Sequence, residues 1–367
     1  STQDAIANIY SRLGVKYLLP QCVKYIQELI SSNEWQYKQA GLMAISVLIE
    51  GASKHFTAEL DGLMGLISTM LNETNPVLIW SILTCIAILC SEYSPVIQQK
   101  YHAPIMNFTL THMKHSSLKI RYRAISSIIN FSQSLNENEE DSMILKQYSQ
   151  PLLNNVQELM NEGVSNNLYV LLEEVLRSLS TIAVVLEDTF ADYYTFFMPN
   201  LKKMLLSYPI DTPQQVNIRV STIECIGYLA YSMKNQSNVF AQDFNEIIGF
   251  LINLESSGIS EDDKHRQAII AVYSQFAVCL KESFAPYLET VLPSILNSLN
   301  INVSLNIRDE SENSQNEKSG PEFMVDLKLL GGKKFFTLNT DALELKLSAS
   351  NSLYSICKNL KKGLYPY

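Results

Sequence analysis

Glycine and proline are sparse in this chain, 13 and 12 among 367 residues, too few for the turn-rich pattern of an all-β protein or for a glycine-looped dinucleotide fold. Cysteine is also scarce. The six (Cys22, Cys85, Cys90, Cys225, Cys279, Cys357) are scattered through apolar periodic stretches, with the spacing of neither a zinc pair nor a disulfide framework, so a reduced, intracellular setting is expected. Positive charge is in deficit, with 28 Lys and Arg against 37 Asp and Glu, a net charge of −9. That balance argues against nucleic acid as a partner and favours basic partners. Acidity is concentrated early: residues 1–300 hold 29 acids and 19 bases, residues 301–367 hold 8 and 9. Long apolar runs are missing too. The longest, VLIWSILTCIAILC at 77–90, has 14 residues and contains Ser81 and Thr84. A membrane span needs about 20, so this run reads as a buried helix and no membrane partner is expected. The opening STQDAIANIYSRLG has neither a leader-like pattern nor an initiator methionine, and the chain is expected to be a piece of a longer one.

What is present is periodicity. Hydrophobic residues make up 47% of the chain, enough for a large core, and from Ile6 to Leu299 they recur at helical three- and four-residue steps. Short polar turns interrupt them, among them SSNE at 31–34, NETNP at 72–76 and YPIDTP at 208–213. A small residue followed by an aliphatic returns within each first helix: Ala44-Ile45, Cys85-Ile86, Ser127-Ile128, Ser178-Leu179, Cys225-Ile226, at separations of 41, 42, 51 and 47. Two helices per unit at such a period are the signature of HEAT or armadillo repeats, in which stacked neighbours supply the core that no unit has alone. The small residue is expected to let the two helices of a unit approach closely. Pro20, Pro199 and Pro293 fall early in second helices, where a proline sits in a first turn at little cost or introduces a mild kink.

The expected fold class is therefore all-α, an α-α superhelix of HEAT repeats. Residues 1–300 form about seven helical pairs, 301–340 an insertion, partly mobile over 308–320, and 341–367 the start of a further repeat. First helices are expected near 1–13, 35–50, 76–92, 118–133, 166–186, 213–233, 264–281 and 341–360. Second helices are expected near 17–31, 57–72, 103–113, 142–161, 190–206, 240–254 and 285–299. Within the insertion, MVDLKLLGGKKFFTL alternates and predicts a short hairpin about Gly331-Gly332, docked through Phe323, Leu329, Phe335 and Phe336.

Chemistry is hard to find. Gly332-Lys333 lacks the rest of a phosphate-binding loop, with Leu327 and Lys334 at its defining positions. His112 and His115 share a helical face without a third ligand. Glu173-Glu174 and Glu187-Asp188 have no accompanying nucleophile. Trp35 and Trp80 read as packing anchors. No enzyme, metal or cofactor is expected.

EWQYKQAGLMAISVLIEGAS (34–53) resembles the repeat of importin β-superfamily nuclear transport receptors, nearest the importin 5 (karyopherin β3) branch. SEYSPVIQQKYH (91–102), AISSIINFSQ (124–133), ADYYTFFMPNLKKML (191–205) and RVSTIECIGYLA (219–230) fit the same branch in order. The resemblance implies the middle of a longer receptor that shuttles between cytoplasm and nucleus, engages nucleoporins, carries basic nuclear-localisation peptides and releases them to the GTPase Ran. Its main Ran-binding repeats are missing here, and the insertion is implied as a further Ran contact. It also implies a cargo row of Glu50, Glu92 and Asn130, closing successive first helices, with Tyr169 and Glu174 beyond them. Val184 and Tyr231 stand where the register would place further acids, so basic peptides are expected within residues 34–190. The competing reading is a HEAT scaffold or regulatory subunit that binds a folded protein.

Overall fold

In the computed structural model, residues 15–52, 60–257, 264–301, 305–309, 322–327, 332–338 and 340–361 are described. The expected helix over 1–13, residues 310–320 and Leu329 lie outside the described residues. The chain divides into two compact units, Ser1–Phe197 and Met198–Tyr367.

The first unit holds α1 (Val15–Ile30), α2 (Trp35–Ala52), α3 (Leu60–Met70), α4 (Pro76–Glu92), α5 (Val96–His112), α6 (Leu118–Ser132), α7 (Glu139–Lys146), α8 (Ser149–Ser165) and α9 (Tyr169–Leu186). A 3-10 turn, Glu187–Phe190, then leads into α10 (Ala191–Ser207). The first helices α2, α4, α6 and α9 stack in succession, and the second helices lie beside them. α4 shows why. Asn75 caps it by accepting from the Val77 N–H at 2.9 Å, and Pro76 follows where an amide hydrogen would have no helical partner. The helix is then apolar nearly all round, with Leu78, Ile82, Leu83, Cys85, Ile86, Leu89 and Cys90 buried, as a helix wedged between two neighbours must be.

The recurring small residue acts between consecutive repeats, not between the two helices of one as expected. Cys85 lies beside Ser46 of α2, so the short side chain lets consecutive first helices approach. Within a unit, Gly41 lets α2 close on α1, since a Cβ there would come within 2.8 Å of Ile30. Second helices are joined by polar rungs from residues about one repeat apart. Lys100 and Tyr101 reach Asp61, Gln99 Nε2 donates to Asp141 at 2.7 Å, His102 Nδ1 meets the Tyr148 hydroxyl at 2.7 Å, and Lys114 pairs with Glu158 at 3.1 Å. Gln98, fully buried, donates from Nε2 to the carbonyls of Cys90 at 3.0 Å and Phe131 at 3.2 Å, closing the last turns of α4 and α6 together.

The second unit takes the remainder of α10 with α11 (Pro213–Ser232), α12 (Ser237–Ser256), α13 (Lys264–Leu280), a 3-10 segment Lys281–Tyr287, α14 (Leu288–Leu299) and α15 (Thr340–Leu360). A capping box starts α11: Gln215 N–H donates to Thr212 Oγ1 at 3.3 Å and Thr212 N–H to Gln215 Oε1 at 3.0 Å. α13 is the central layer, against α11 on one side and α15 on the other. Gly227 makes the first contact possible, since a Cβ there would lie 2.8 Å from Val272. Phe240, Phe244, Phe276, Phe284 and Tyr287 form one aromatic cluster tying α12 and α13 to the 3-10 segment. Glu255 accepts from Tyr273 and Ser294 hydroxyls, each at 2.6 Å, and so joins α12, α13 and α14. By length and composition Lys264–Leu299 could cross a membrane, which the reading of residues 77–90 did not anticipate; 56% of its most apolar window is buried in the protein.

Pro199 and Pro293 lie inside α10 and α14, so of the two alternatives the first-turn placement is set aside. Two expectations are corrected. The helix expected at 103–113 begins at Val96, and its kink falls at Tyr101 (φ −126°, ψ 15°), just ahead of Pro104, whose ring crowds the preceding turn. The hairpin is a three-stranded antiparallel sheet: β2 (Glu322–Leu327) and β3 (Gly332–Leu338) pair as expected, and β1 (Leu305–Asp309) adds to the other edge of β3, with Ile307 and Phe323 both opposite Phe336.

Candidate functional site

The contacts Ser46–Cys85, Thr84–Arg123 and Arg123–Glu174 join comparable points along α2, α4, α6 and α9. The first helices therefore run the same way, and their C-terminal residues gather along one edge of the layer. Glu50 and Glu92 stand on that edge, both exposed, and neither carboxylate has an ion-pair partner among the described residues. Asn130, near the end of α6, is half-buried on the same edge.

The other two residues of the row stand elsewhere. Tyr169 is the first residue of α9 and so belongs to the opposite edge. Glu174 is buried, 4% exposed, beneath Arg177 Nη1 at 3.3 Å and within the attraction of Arg123. It neutralises cations of this chain. An arginine from another helix could not be foreseen from local pattern.

Four further acids sharpen the contrast. Asp61, Glu73, Glu158 and Glu162 are each paired with a cation of a neighbouring helix: Lys100, Lys38, Lys114 and Arg121. Tyr101 and Lys100 hold the Asp61 carboxyl below the usual carboxylate range. Composition counts all these acids alike, whereas the fold pairs these four internally and leaves others, among them Glu137, Glu139 and Glu140, exposed with no ion pair among the described residues.

The histidine pair is unsuited to a shared metal. His112 Nδ1 meets the Phe108 carbonyl at 2.7 Å, so it carries the proton, while His115 Nδ1 accepts the Ser117 N–H at 2.9 Å. Among the described residues no three ligand-type side chains cluster. Burial pushes the Cys85 and Cys279 thiols up to about 12, away from reactivity.

Sequence reasoning missed the opposite edge of the layer. A cleft of about 380 Å³ opens there between the starts of α4 and α6, lined by Pro76, Val77, Trp80, Ser117, Lys119 and Ile120. Trp80, read as a packing anchor, is 36% exposed on one side and covered on the other by the Arg123 guanidinium, 5.6 Å from the ring centre. Helical periodicity identifies apolar faces, but not a face that two neighbours leave uncovered.

Residues 141–312 match a family described as importin subunit β-1-like, TPR repeats. The chain is 25% identical over 360 residues to importin subunit β-3 of Saccharomyces cerevisiae, covering 98% of this chain and 31% of that protein. A probable importin-5 homologue of Dictyostelium discoideum is 24% identical over 205 residues, covering 56% of this chain and 17% of its own length. Among solved structures, Kap121p superposes with a TM-score of 0.80 at 23% identity, over 100% of this chain and 33% of Kap121p. Kap121p has also been crystallised bound to Pho4p (TM-score 0.81) and to Nup53p (TM-score 0.79), each at 22% identity. The chain spans about a third of the length of importin subunit β-3 and of Kap121p. Its fold is that of the HEAT-repeat solenoid, and its sequence is similar to that of importins of the importin-5/β-3 branch.

Proposed function

We propose that this chain is the central stretch of a nuclear import receptor that binds lysine-rich localisation peptides of cargo proteins along the edge carrying Glu50, Glu92 and Asn130. In this reading residues 1–300 are the repeat array, 301–340 an insertion and 341–367 the start of a further repeat. The observation that carries the cargo site is the pairing pattern: acids beside a neighbouring cation are satisfied, whereas Glu50 and Glu92 are exposed and without an ion-pair partner among the described residues. A lysine ammonium is drawn to such carboxylates, and its stem lies over the apolar helix ends between them. Tyr169 and Glu174 are left out of direct contact, the first for its place on the other edge, the second for its burial. The importin names of the relatives, and the binding of Pho4p and Nup53p by Kap121p, support a shuttling receptor that meets cargo and nucleoporins. Release by Ran-GTP is assigned to the longer receptor, with the insertion as an additional Ran contact.

The double substitution Glu50→Lys and Glu92→Lys tests the site. A fluorescent lysine-rich peptide should bind more than tenfold more weakly, a loss of about 1.4 kcal/mol or more. Unchanged affinity in a variant with an unaltered melting curve removes the site. A folded partner that binds in place of the basic peptide, without response to Ran-GTP in the longer protein, would instead favour the scaffold reading.

A further inference from the structure

Arg123 of α6 stands in surroundings shaped for a cation. Its guanidinium lies over the Trp80 ring, 5.6 Å from the centre, and its Nε donates to Thr84 Oγ1 at 2.9 Å. The Thr84 hydroxyl spends its own hydrogen on the Trp80 carbonyl at 2.8 Å, so it faces the arginine as an acceptor. Glu174, buried on α9, adds negative charge that acts on the same guanidinium. An aromatic face, an oxygen acceptor and a carboxylate are the partners that suit a planar, delocalised cation.

The present occupant is loosely held. Thr84 is its one hydrogen-bond partner among the described residues, and no carboxylate is within ion-pair distance of it, since Glu174 is paired with Arg177 at 3.3 Å on its own helix. Lys38 and Arg121, by contrast, each have a carboxylate, Glu73 and Glu162. Arg123 is half-buried, and burial holds it below its ordinary value, with Tyr122 and Glu174 opposing only in part. A cation drawn out of water without a close counter-charge is costly to keep there. Trp80 is 36% exposed, so ring and guanidinium both reach solvent and an exchange of cations needs no opening of the core.

We propose that Trp80, Thr84 and Glu174 form a subsite for an arginine side chain of a basic ligand, and that Arg123 keeps this subsite closed by standing in it. The ligand is the one named by the cargo reading, on which the proposal rests in that respect. The geometry also sets where the arginine falls in that ligand. Trp80 near the start of α4 and Glu92 at its end are about 18 Å apart along the helix axis. An extended peptide covers that span in about six residues, so the arginine is separated by about that number from the lysine at Glu92. In the unsubstituted chain the two arginines compete for one place; without Arg123 the ligand's arginine has it alone.

Fluorescence anisotropy tests this with two labelled peptides: a lysine-rich peptide extended by about six residues to a final arginine, and the same peptide ending in alanine. The unsubstituted chain should bind both with affinities within about twofold. Arg123→Ala should bind the arginine peptide at least about fivefold more tightly than the alanine peptide, and adding Trp80→Leu should abolish that preference. Circular dichroism melting checks that each variant folds. A second measurement holds even where Arg123→Ala melts early: methylguanidinium should raise its melting temperature more than that of the unsubstituted chain, and equal shifts overturn the proposal. Equal affinity of the two peptides for Arg123→Ala, or a preference that survives Trp80→Leu, also overturns it while leaving the cargo reading in place. Binding of neither peptide to any of these chains overturns the cargo reading and this inference with it.

Discussion

At the scale of single residues, Gln98 and His112 show how much rests on one side chain. Gln98 satisfies two carbonyls that the ends of α4 and α6 leave without helical partners. Gln98→Leu keeps the volume and strands both acceptors in the interior, so it should destabilise the chain by about 2–4 kcal/mol, read from urea midpoints. A loss below about 1 kcal/mol would mean that the two helix ends find other donors. His112 is half-buried, and burial, together with the neighbouring His115, holds it below its ordinary value of 6.5; the Phe108 carbonyl opposes this only in part. The unfolded chain therefore takes up the proton first. Stability present above about pH 6.5 should decline as pH falls through that value toward the lower folded one. His112→Gln should show a smaller drop in urea midpoint between about pH 7.5 and about pH 5.5 than the parent chain; identical drops would assign the pH dependence to other groups.

Elements were legible where their period was strong and their neighbours were like themselves. α2, α4, α9, α11, α13 and α15 fall within three residues of the spans the apolar steps predict, because stacked first helices bury a stripe on both sides and announce it. α7 was not legible as a separate element: one helix was expected near 142–161, but Glu139, Glu140 and Asp141 after the Asn138 cap form the first turn of a short helix that ends at Lys146, and α8 starts at Ser149. β1 was missed because Leu305–Asp309 opens a polar stretch, and its pairing with β3 depends on residues 25–33 positions away. In the site, the end positions of Glu50 and Glu92 could be counted along their helices. The burial of Glu174 could not, since it depends on Arg123. β3 carries both pairings of the sheet, so the insertion is one module and should be removable as one. Deleting 306–338 should leave the melting of the helices and binding of the lysine-rich peptide unchanged, while slowing Ran-dependent release in the longer receptor. Peptide affinity that falls with the deletion would place the sheet in the cargo site instead.

At the scale of the molecule, the first unit has two unlike layers. Its first helices meet through Leu, Ile, Cys and Ala with the few polar contacts of Arg123 among them, and its second helices also through rungs such as Lys100–Asp61, Gln99–Asp141 and Lys114–Glu158. Exposed ion pairs contribute about 0–1 kcal/mol each and weaken with salt, whereas close-packed apolar contact has little give. Raising salt should therefore speed hydrogen exchange in α5 and α8 more than in α4 and α6; uniform acceleration would contradict the division.

Mechanically, such a unit is a strip with one stiff face and one yielding face. Bent toward or away from a ligand, it would flex about the apolar layer as its neutral plane, with the polar rungs lengthening or shortening by water entry at small energetic cost. Curvature can then change without any repeat unfolding, and a grip on the proposed peptide would be loosened by a load applied several repeats away.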